Sequence, residues 1–539
     1  MIIDLESPEH LVPHHAGVCI AGAGAAGICI ALELAKSGVH VTLLESGGLD
    51  EEKSTQDLYN SEVSGIPHIG IHQGRFRVLG GSTTHWAGQI LELDPNNFEA
   101  RPWVPNSGWP FPKDVLMPYY RRATELEGLT AVISDDGSVW KSINSAPPDF
   151  GDDVVPFFSR FCPEPNFVRL HGNALRESDK ITVYLHANVC EIKLAEGQET
   201  IAGFGCRTLG GRAATFTADS YVFCLGGIES ARTLLQPLPG ARIAPWNAYG
   251  LVGRYFQDHV DATVLEIKPR SRRRLDQWLE DLYRSSFKYR PYLKLSAAAQ
   301  ERLQCLAISA GLSLESKMIK EQQDFKGVAK QVLRGNIGAI EPAHAARYLP
   351  LAGLMLRKTT RRLLRGRGYT SSDGRIFLRF HCEQVPNPES RIELTSERDA
   401  TGQFRTRLHW AATSLEVHTM QQFARVIGQA FQRGGFADVI VNPALEAGGP
   451  ALVDLFEDTF HHMGAARMAD SPQRGVVDSN LKLFGVGNGY VCSSAVFPTS
   501  GFSNPTHTII ALAMRLAEHL TGGAGHQSVT RLEKSEAQK

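Results

Sequence analysis

The chain has 539 residues, 42% of them apolar, and a formal net charge of −1. This length predicts two to four domains or one large interleaved pair, and the balanced charge excludes a global bias toward nucleic acid. The nine cysteines contain no C-x-x-C pair, so neither a zinc site nor a disulfide framework is expected. No signal peptide or membrane-spanning run is recognisable, so a cytoplasmic location is expected.

Residues 16–48 predict a strand, a turn, a helix and a second strand. Gly22, Gly24 and Gly27 form G-x-G-x-x-G, which allows a tight turn, close approach of a pyrophosphate and packing of helix on strand. Glu45 ends the second strand roughly twenty residues later, where a carboxylate can bind ribose hydroxyls. The pattern predicts a dinucleotide site for FAD or NAD rather than NADP. The alternative is a structural glycine-rich turn.

Two further segments are rich in small residues. Residues 75–89 (RFRVLGGSTTHWAGQ) hold a glycine pair, Gly80 and Gly81, that lets the backbone approach a ligand. A buried turn with a satisfied histidine is the alternative there. Residues 220–235 (SYVFCLGGIESARTLL) predict a second strand and helix, joined by a turn at Gly226 that faces the same dinucleotide or is an ordinary tight turn.

Basic runs set residues 267–370 apart from the rest of the chain. The runs are RSRRR at 270–274 and RKTTRRLLRGR at 357–367. Residues 345–367 mix these charges with Leu, Ala and Met, a pattern typical of an amphipathic helix on a membrane or a partner. Pro350 interrupts the pattern, so we expect a solvated helical lid, with membrane or partner contact as the alternative.

The rest of the chain predicts a sheet and then a site. Alternation over residues 375–410 predicts an antiparallel sheet and hence a second, substrate-facing domain, followed by a helix over 414–435. The C-terminal hundred residues contain TFHHMGAARM and SGFSNPTHT, and the latter leads into a helix with Pro505 near its start. The tail after Gly522 is polar and predicted to be disordered.

In their order along the chain, these segments resemble the GMC (glucose–methanol–choline) family of FAD-dependent oxidoreductases. The resemblance rests on GAGAAG with Glu45, LGGSTTHWAG, CLGGIESARTLL, VGRYFQDH, EQVPNPESRIEL, HHMGAARM and GFSNPTHTI. It covers nearly the whole chain and matches residues 267–370 least. It implies an α/β fold, α+β overall, with a Rossmann-like FAD-binding domain and a substrate domain built on a mainly antiparallel sheet.

The resemblance also implies how the chain is divided. The FAD-binding domain would comprise residues 10–95, 170–265 and 452–525. The substrate domain would comprise 96–169 and 266–451, with a lid or insertion around 270–370, and 526–539 would be a disordered tail.

A catalytic pair beside the flavin is implied at His461 and Asn504. The family pattern H-x-x-G-T-x-x-M selects His461 rather than His462, and asparagine as the second member resembles the pyranose-oxidase and fructose-dehydrogenase side. The chain departs from the pattern at Ala465, where threonine is usual, which removes a hydroxyl near the expected flavin. His462 and His507 are expected to be supporting or structural residues.

The implied cofactor is FAD, and no metal is expected. The expected cofactor-binding residues are Gly22, Gly24, Gly27, Glu45, Gly80, Gly81, Ser82, Thr84, His85, Trp86, Gly226, Ala495, Pro505 and Thr506. Thr84-His85-Trp86 matches the T-H-W of pyranose oxidases, whose histidine bonds covalently to the flavin. Other members have H-W without that bond, so covalent attachment at His85 stays open.

The implied reaction is oxidation of a hydroxyl group on a sugar, amino sugar or glycoside to a carbonyl. A neutral His461 would accept the hydroxyl proton, Asn504 would orient the alcohol oxygen, and flavin N5 would accept the hydride. Oxygen or another carrier would then accept the electrons. The alternatives are oxidation of a non-carbohydrate alcohol, an FAD-binding lyase of the same fold, a non-catalytic flavoprotein, and an NAD-dependent dehydrogenase.

Overall fold

Two large sheets organise the protein in the computed structural model, which describes residues 1–7, 14–197, 199–315, 349–368 and 374–522. The first sheet is parallel throughout, and its central strands are buried apolar runs such as VTLL, as expected for a sheet covered on both faces. Its strands, in spatial order, are Ile2–Asp4, Ile181–Leu185, Val41–Leu44, Ala16–Ala21, Ala218–Phe223 and Gly489–Val491.

The second large sheet is antiparallel. Strand Phe287–Leu295 shows why: its side chains alternate between buried and half-buried along the whole strand. The strands, in spatial order, are Ala437–Val441, Val260–Pro269, Arg375–Cys382, Ile308–Glu315, Phe287–Leu295, Val154–Phe161 and Gln89–Ile90, with Leu282–Arg284 paired to Phe287–Leu295. The predicted combination of a Rossmann-like sheet with an antiparallel sheet is confirmed.

Two small sheets and the helices complete the described fold. One small sheet contains Ala213–Phe216, Ile201–Arg207 and Asn188–Leu194, and the other contains Arg391–Arg398, Phe404–Trp410 and Glu62–Gly65. The α-helices are Ala25–Lys36, Lys53–Gln56, Met117–Leu126, Asp136–Ser142, Phe167–Glu177, Gly226–Leu235, Arg272–Leu279, Ala297–Leu303, Leu349–Arg365, Ser414–Arg433, Pro443–Ala447, Gly449–Val453 and Thr506–Leu520.

Part of the segment expected to form a lid or insertion around 270–370 belongs to the antiparallel sheet. Residues 282–315 contribute three strands to it. Lys288, Arg290 and Lys294 occupy half-buried positions of strand Phe287–Leu295, in alternation with buried residues. Helix Leu349–Arg365 follows, with Leu356, Leu363 and Leu364 exposed.

Some expectations fall outside the described residues or stay predictions. Residues 316–348, 369–373 and the tail 526–539 lie outside the described part of the chain. The domain boundaries and the contact of 345–367 with a membrane or partner stay predictions. Across the described ranges, no helix has both the length and the apolarity needed to cross a bilayer.

A buried ion pair ties the irregular segment after residue 96 to the antiparallel sheet. Arg101 Nη1 donates to Glu383 Oε2 at 2.8 Å and Nη2 donates to Oε1 at 2.5 Å. Both side chains are at most 2% exposed. The N–H of Ala307 also donates to Glu383 Oε2, at 2.9 Å. Losing Glu383 would therefore leave a buried guanidinium without its counter-charge.

We expect Glu383→Ala to lower the free energy of unfolding by about 3–5 kcal/mol, the cost of leaving one buried charge unpaired. Thermal unfolding followed by circular dichroism measures this as a lower Tm of the first transition. Glu389→Ala is the matched control, because Glu389 is 64% exposed and pairs with Arg391 at the surface. That control should change stability by about 0–1 kcal/mol. Equal shifts in the two variants would contradict the prediction.

Candidate active site

A cavity of about 960 Å³ lies at the carboxyl edge of the parallel sheet, and we call it the central cavity. Most of the predicted site residues line it: Gly22, Gly24, Glu45, Gly81, Ser82, His85, Trp86, Gly226, His461, Asn504, Pro505 and Thr506. Its volume is at the upper end of the usual range for ligand pockets, which is about 300–1,000 Å³. The structure thus brings together segments that lie more than 450 residues apart in the chain.

The other predicted residues lie beside the cavity but do not line it. A Cβ on Gly27 would be 1.9 Å from the Gly22 carbonyl oxygen, so Gly27 serves helix–strand packing as expected. Gly80 makes the turn at φ 95°, and the Thr84 hydroxyl donates to the Gly81 carbonyl at 2.8 Å. Ala495 is buried behind the wall. Direct cofactor contacts by these four residues stay predictions.

The helix Ala25–Lys36 begins directly at the cavity. Its N-cap residue, Gly24, supplies no side-chain cap, and a Cβ there would meet nothing within 4 Å. Gly226 has φ 75° and is open in the same way. Free backbone N–H groups at a helix N-terminus favour phosphate. The two glycine turns therefore leave room for a diphosphate beside uncapped N–H groups.

Glu45 is buried at the end of strand Val41–Leu44 and lines the cavity. Its Oε2 accepts from the N–H of Ala23 at 3.1 Å, and its Oε1 accepts from the N–H of Gly47 at 3.0 Å. Burial raises the pKa of Glu45, while these two hydrogen bonds oppose the rise. The backbone thus holds the carboxylate at the cavity, and ribose binding by Glu45 stays a prediction.

The sequence analysis missed a cluster of buried charges on the cavity wall. Arg77 Nη2 donates to Glu229 Oε1 at 2.7 Å, and Arg232 Nη1 donates to the same oxygen at 2.9 Å. Burial alone would raise the pKa of Glu229, but the arginines bring it down to about 2. Among the described residues, Arg75 Nη1 and Arg77 Nε have no hydrogen-bond partner. These buried donors, with the uncapped helix, fit an anionic dinucleotide such as FAD.

His461 and Asn504 meet at the cavity wall. Asn504 Nδ2 lies 2.9 Å from His461 Nε2, and both residues line the cavity. Burial and the neighbouring His381 lower the pKa of His461 to about 4, although Asp258 acts in the opposite direction. The ring is therefore neutral near pH 7 and can act as a general base.

The other face of His461 contacts two residues that the sequence analysis did not select. His461 Nδ1 lies 2.9 Å from Thr459 Oγ1 and 2.9 Å from His259 Nδ1. The Thr459 hydroxyl donates to Asp258 Oδ1 at 2.8 Å. The sequence signal was available in VGRYFQDH, which supported the family resemblance. Its last two residues, Asp258 and His259, lie directly behind His461.

His259, His381 and His461 also have the spacing of a three-histidine metal site, with one ring nitrogen of each within 4.8 Å of the others. The 2.9 Å contact between His259 and His461 has the length of a hydrogen bond. The Nδ1 of His381 is already bonded to Asp261 Oδ1, at 2.5 Å. We therefore interpret the cluster as a hydrogen-bonded support for the ring of His461.

The remaining selected residues have distinct surroundings. His462 lines the cavity with its Nε2 3.9 Å from Asp258 Oδ2. His507 lies away from the cavity, where Glu127 Oε2 is 2.8 Å from its Nδ1. Ala465 is fully buried, has φ 69° and does not line the cavity. The threonine hydroxyl that the family pattern has at this position is therefore not a group that the cavity wall lacks.

We expect Glu45→Gln to raise the dissociation constant for FAD about tenfold, or about 1.4 kcal/mol, because one acceptor oxygen becomes an NH₂ facing backbone N–H groups. Fluorescence titration of the apoprotein with FAD measures the change. Glu62→Gln is the control and should bind FAD as the wild type does, since Glu62 does not line the cavity and pairs with Arg407 at the surface, with its side chain 46% exposed. Equal FAD affinity in the wild type and Glu45→Gln would refute the assignment of Glu45.

The sequence of the chain is similar to a known family and to two known proteins. Residues 386–513 match the family model described as GMC oxidoreductase. The chain is 22% identical to 2-methyl-1,2-propanediol dehydrogenase of Mycolicibacterium austroafricanum, over 94% of this chain and 95% of the relative. It is 40% identical over 68 residues to dehydrogenase str4 of Strobilurus tenacellus, which is 13% of this chain and 11% of that protein.

Solved structures share the fold at low sequence identity. Formate oxidase of Aspergillus oryzae superposes with a TM-score of 0.56 at 16% identity, covering 96% of this chain and 100% of that one. Pyridoxine 4-oxidase of Mesorbium loti gives a TM-score of 0.53 at 16% identity, covering 94% and 99%. The comparisons support the GMC resemblance, which residues 386–513 match directly, and confirm the expectation of an FAD-dependent alcohol oxidoreductase that oxidises a hydroxyl group.

Proposed function

We propose that the protein oxidises a hydroxyl group of a sugar, amino sugar or glycoside to a carbonyl, with His461 as base and Asn504 as the residue that orients the alcohol. The observation that carries the proposal is the 2.9 Å contact between Asn504 Nδ2 and His461 Nε2 at the wall of the central cavity. A neutral imidazole and an amide donor side by side at the cavity wall suit an alcohol oxygen and its proton.

Each residue of the pair has a separate task. When bound, FAD supplies the hydride acceptor. His461 accepts the hydroxyl proton at Nε2, and the Asn504 amide donates a hydrogen bond to the alcohol oxygen, which fixes its orientation. In the structure that amide donates to Nε2 itself, so an incoming hydroxyl group would insert between the two residues.

Features on this side of the cavity support a carbohydrate substrate. The ring of Phe460, next to the base, is 45% exposed and lines the cavity, and its backbone has φ 64°. Such a conformation is uncommon for a bulky residue and concentrates at functional sites. An exposed aromatic ring offers a flat apolar face to a sugar, and Gln73 and Gln89, which also line the cavity, offer amides for its hydroxyls.

The family resemblance supplies further support for this substrate class. Asn504 and Thr84-His85-Trp86 match the pyranose-oxidase and fructose-dehydrogenase side, and this finer placement is part of the proposal. His85 stacks on Phe76 with a centroid distance of 3.8 Å and lines the cavity. Attachment of FAD to His85 stays a prediction of the resemblance.

The test is anaerobic mixing of the FAD-loaded protein with sugars, amino sugars, glycosides and 2-methyl-1,2-propanediol, followed through the visible flavin band. Bleaching by a member of the carbohydrate classes supports the proposal, and later admission of air distinguishes an oxidase from a dehydrogenase. Bleaching by the diol alone would replace the carbohydrate with a small alcohol. A flavin that no alcohol bleaches would overturn the proposal and favour a lyase.

We expect His461→Ala to retain FAD and to lower the rate constant for flavin reduction by about 10²–10⁴-fold, the usual contribution of a general base. Stopped-flow absorbance with the bleaching substrate measures this rate. His40→Ala, at an exposed position, is the control and should reduce its flavin at the wild-type rate. Loss of FAD or of folding in His461→Ala would indicate a structural residue instead.

The lowered pKa of His461, about 4, predicts an unusual pH profile for the same rate constant. The reactive form is the neutral ring, so activity is lost as pH falls through the pKa of the folded protein. We expect a constant rate from pH 8 to about 5.5 and a decline only toward pH 4, whereas an ordinary histidine would lose half its activity near pH 6.5. A midpoint near pH 6.5 would contradict the assignment.

A further inference from the structure

A buried carboxylate, Asp258, lies behind the face of His461 that points away from the cavity. Its Oδ1 accepts hydrogen bonds from two backbone N–H groups, those of His259 at 2.7 Å and His461 at 3.0 Å, and from the Thr459 hydroxyl at 2.8 Å. Its Oδ2 lies 3.1 Å from His68 Nε2. An ionised carboxylate only accepts hydrogen bonds, so every proton in this group points toward Asp258.

His68, on the other side of Asp258, also directs its ring proton at the carboxylate. His68 Nδ1 accepts from the N–H of Ile71 at 3.1 Å, so the single proton of a neutral ring lies on Nε2 and points to Asp258 Oδ2. The side chains of both His68 and Asp258 are 0% exposed. The acceptor state of Asp258 is thus fixed from both sides, without solvent.

The direction of the Thr459 hydroxyl follows from the same argument. A hydroxyl has one proton to donate, and that of Thr459 goes to Asp258 Oδ1. The Thr459 oxygen can therefore only accept from its other neighbour, His461 Nδ1, at 2.9 Å. This requires a proton on His461 Nδ1.

His259 agrees with this assignment. Its Nδ1 lies 2.9 Å from His461 Nδ1, and two ring nitrogens at this distance need one proton between them. The one proton on His461 Nδ1 is then shared between Thr459 Oγ1 and His259 Nδ1, which are both 2.9 Å away, so the Nδ1 of His259 is also an acceptor. Burial and the neighbouring His381 hold the pKa of His259 well below its usual value, so that ring is neutral and has a lone pair to offer.

We propose that Asp258 and Thr459 are positioning residues that hold His461 in the tautomer with its proton on Nδ1, which leaves the Nε2 lone pair directed at Asn504 and the cavity. This inference rests on the proposed function for its catalytic meaning. In the reaction the substrate O–H bond breaks and its proton bonds to Nε2. The carbon loses a hydride with two electrons to the bound flavin, and the C=O bond forms.

The variant that tests this is Thr459→Val, which keeps the side-chain shape but removes the hydroxyl. We expect flavin reduction to slow about 10- to 100-fold, because the opposite tautomer becomes populated and His259 alone opposes it. The substrate dissociation constant should stay within about twofold of the wild-type value, and the solvent isotope effect on reduction should increase, since proton abstraction becomes limiting. Thr459→Ser should restore the wild-type rate within about threefold.

Two outcomes of these kinetics would overturn the proposal. One is wild-type reduction and an unchanged isotope effect in Thr459→Val. The other is equal loss in Thr459→Ser and Thr459→Val, which would show that shape rather than the hydroxyl matters. Thr200→Val, on an exposed turn, is the control for threonine replacement and should change neither quantity.

A readout that needs no substrate separates this inference from the proposed function. Histidine-selective ¹⁵N NMR of the FAD-loaded protein reports which nitrogen of His461 carries the proton, with the signals assigned by their loss in His461→Asn. We expect Nδ1–H in the wild type and a tautomer mixture in Thr459→Val. Nε2–H in the wild type would overturn the inference. Nδ1–H together with a flavin that no alcohol bleaches would refute only the proposed function.

Discussion

The arrangement behind the base depends on one buried anion. Asp258 accepts hydrogen bonds from a backbone N–H group of its own loop and from one in the segment that holds His461. The loops also pair through Gln257 and Met463, whose backbone N–H groups donate to each other's carbonyls at 2.9 and 2.8 Å. The carboxylate thereby replaces the solvent that two irregular segments, about 200 residues apart in the chain, would otherwise need. A buried carboxylate is costly without hydrogen-bond donors. The donors that Asp258 requires therefore fix the position of the His461 ring.

A second constraint fixes the cavity itself. Gly22, Glu45, Gly226 and Ser493 each follow a strand of the parallel sheet and each line the cavity. Parallel strands have their carboxyl ends at one edge, and ligands of open α/β sheets bind outside that edge. The residues for the cofactor therefore converge because of strand direction, whereas the base is brought to the same cavity by loops. The two halves of the site are positioned by different physical means.

This difference explains what the sequence could predict. The first strand, helix and glycine turn are local, and the predicted helix is present at Ala25–Lys36. The antiparallel strands over residues 282–315 were not predicted, because the basic runs at 270–274 and 357–367 set the whole stretch between them apart from the rest of the chain. The family pattern led to His461 and Asn504. The orientation of His461 depends on Thr459 and Asp258, and no periodicity or spacing shows that a hydroxyl two residues away will share a carboxylate with a loop near residue 258.

The remaining electrostatic question is how a base can stay neutral beside an anion. An adjacent carboxylate normally raises the pKa of a histidine. Here the charge of Asp258 is already solvated by donors from three segments, and its pKa is held well below the usual range. Burial and the proximity of His381 therefore outweigh the effect of Asp258 on the pKa of His461.

Thr459 lies between the carboxylate and the ring. Its hydroxyl donates to Asp258 and accepts from His461 Nδ1, so it orients the ring without placing the negative charge on Nδ1. A structure that placed Asp258 directly on Nδ1 would orient the ring equally well but would favour the imidazolium form, which has no lone pair to accept the substrate proton. The intervening hydroxyl thus separates the orientation of the base from its protonation.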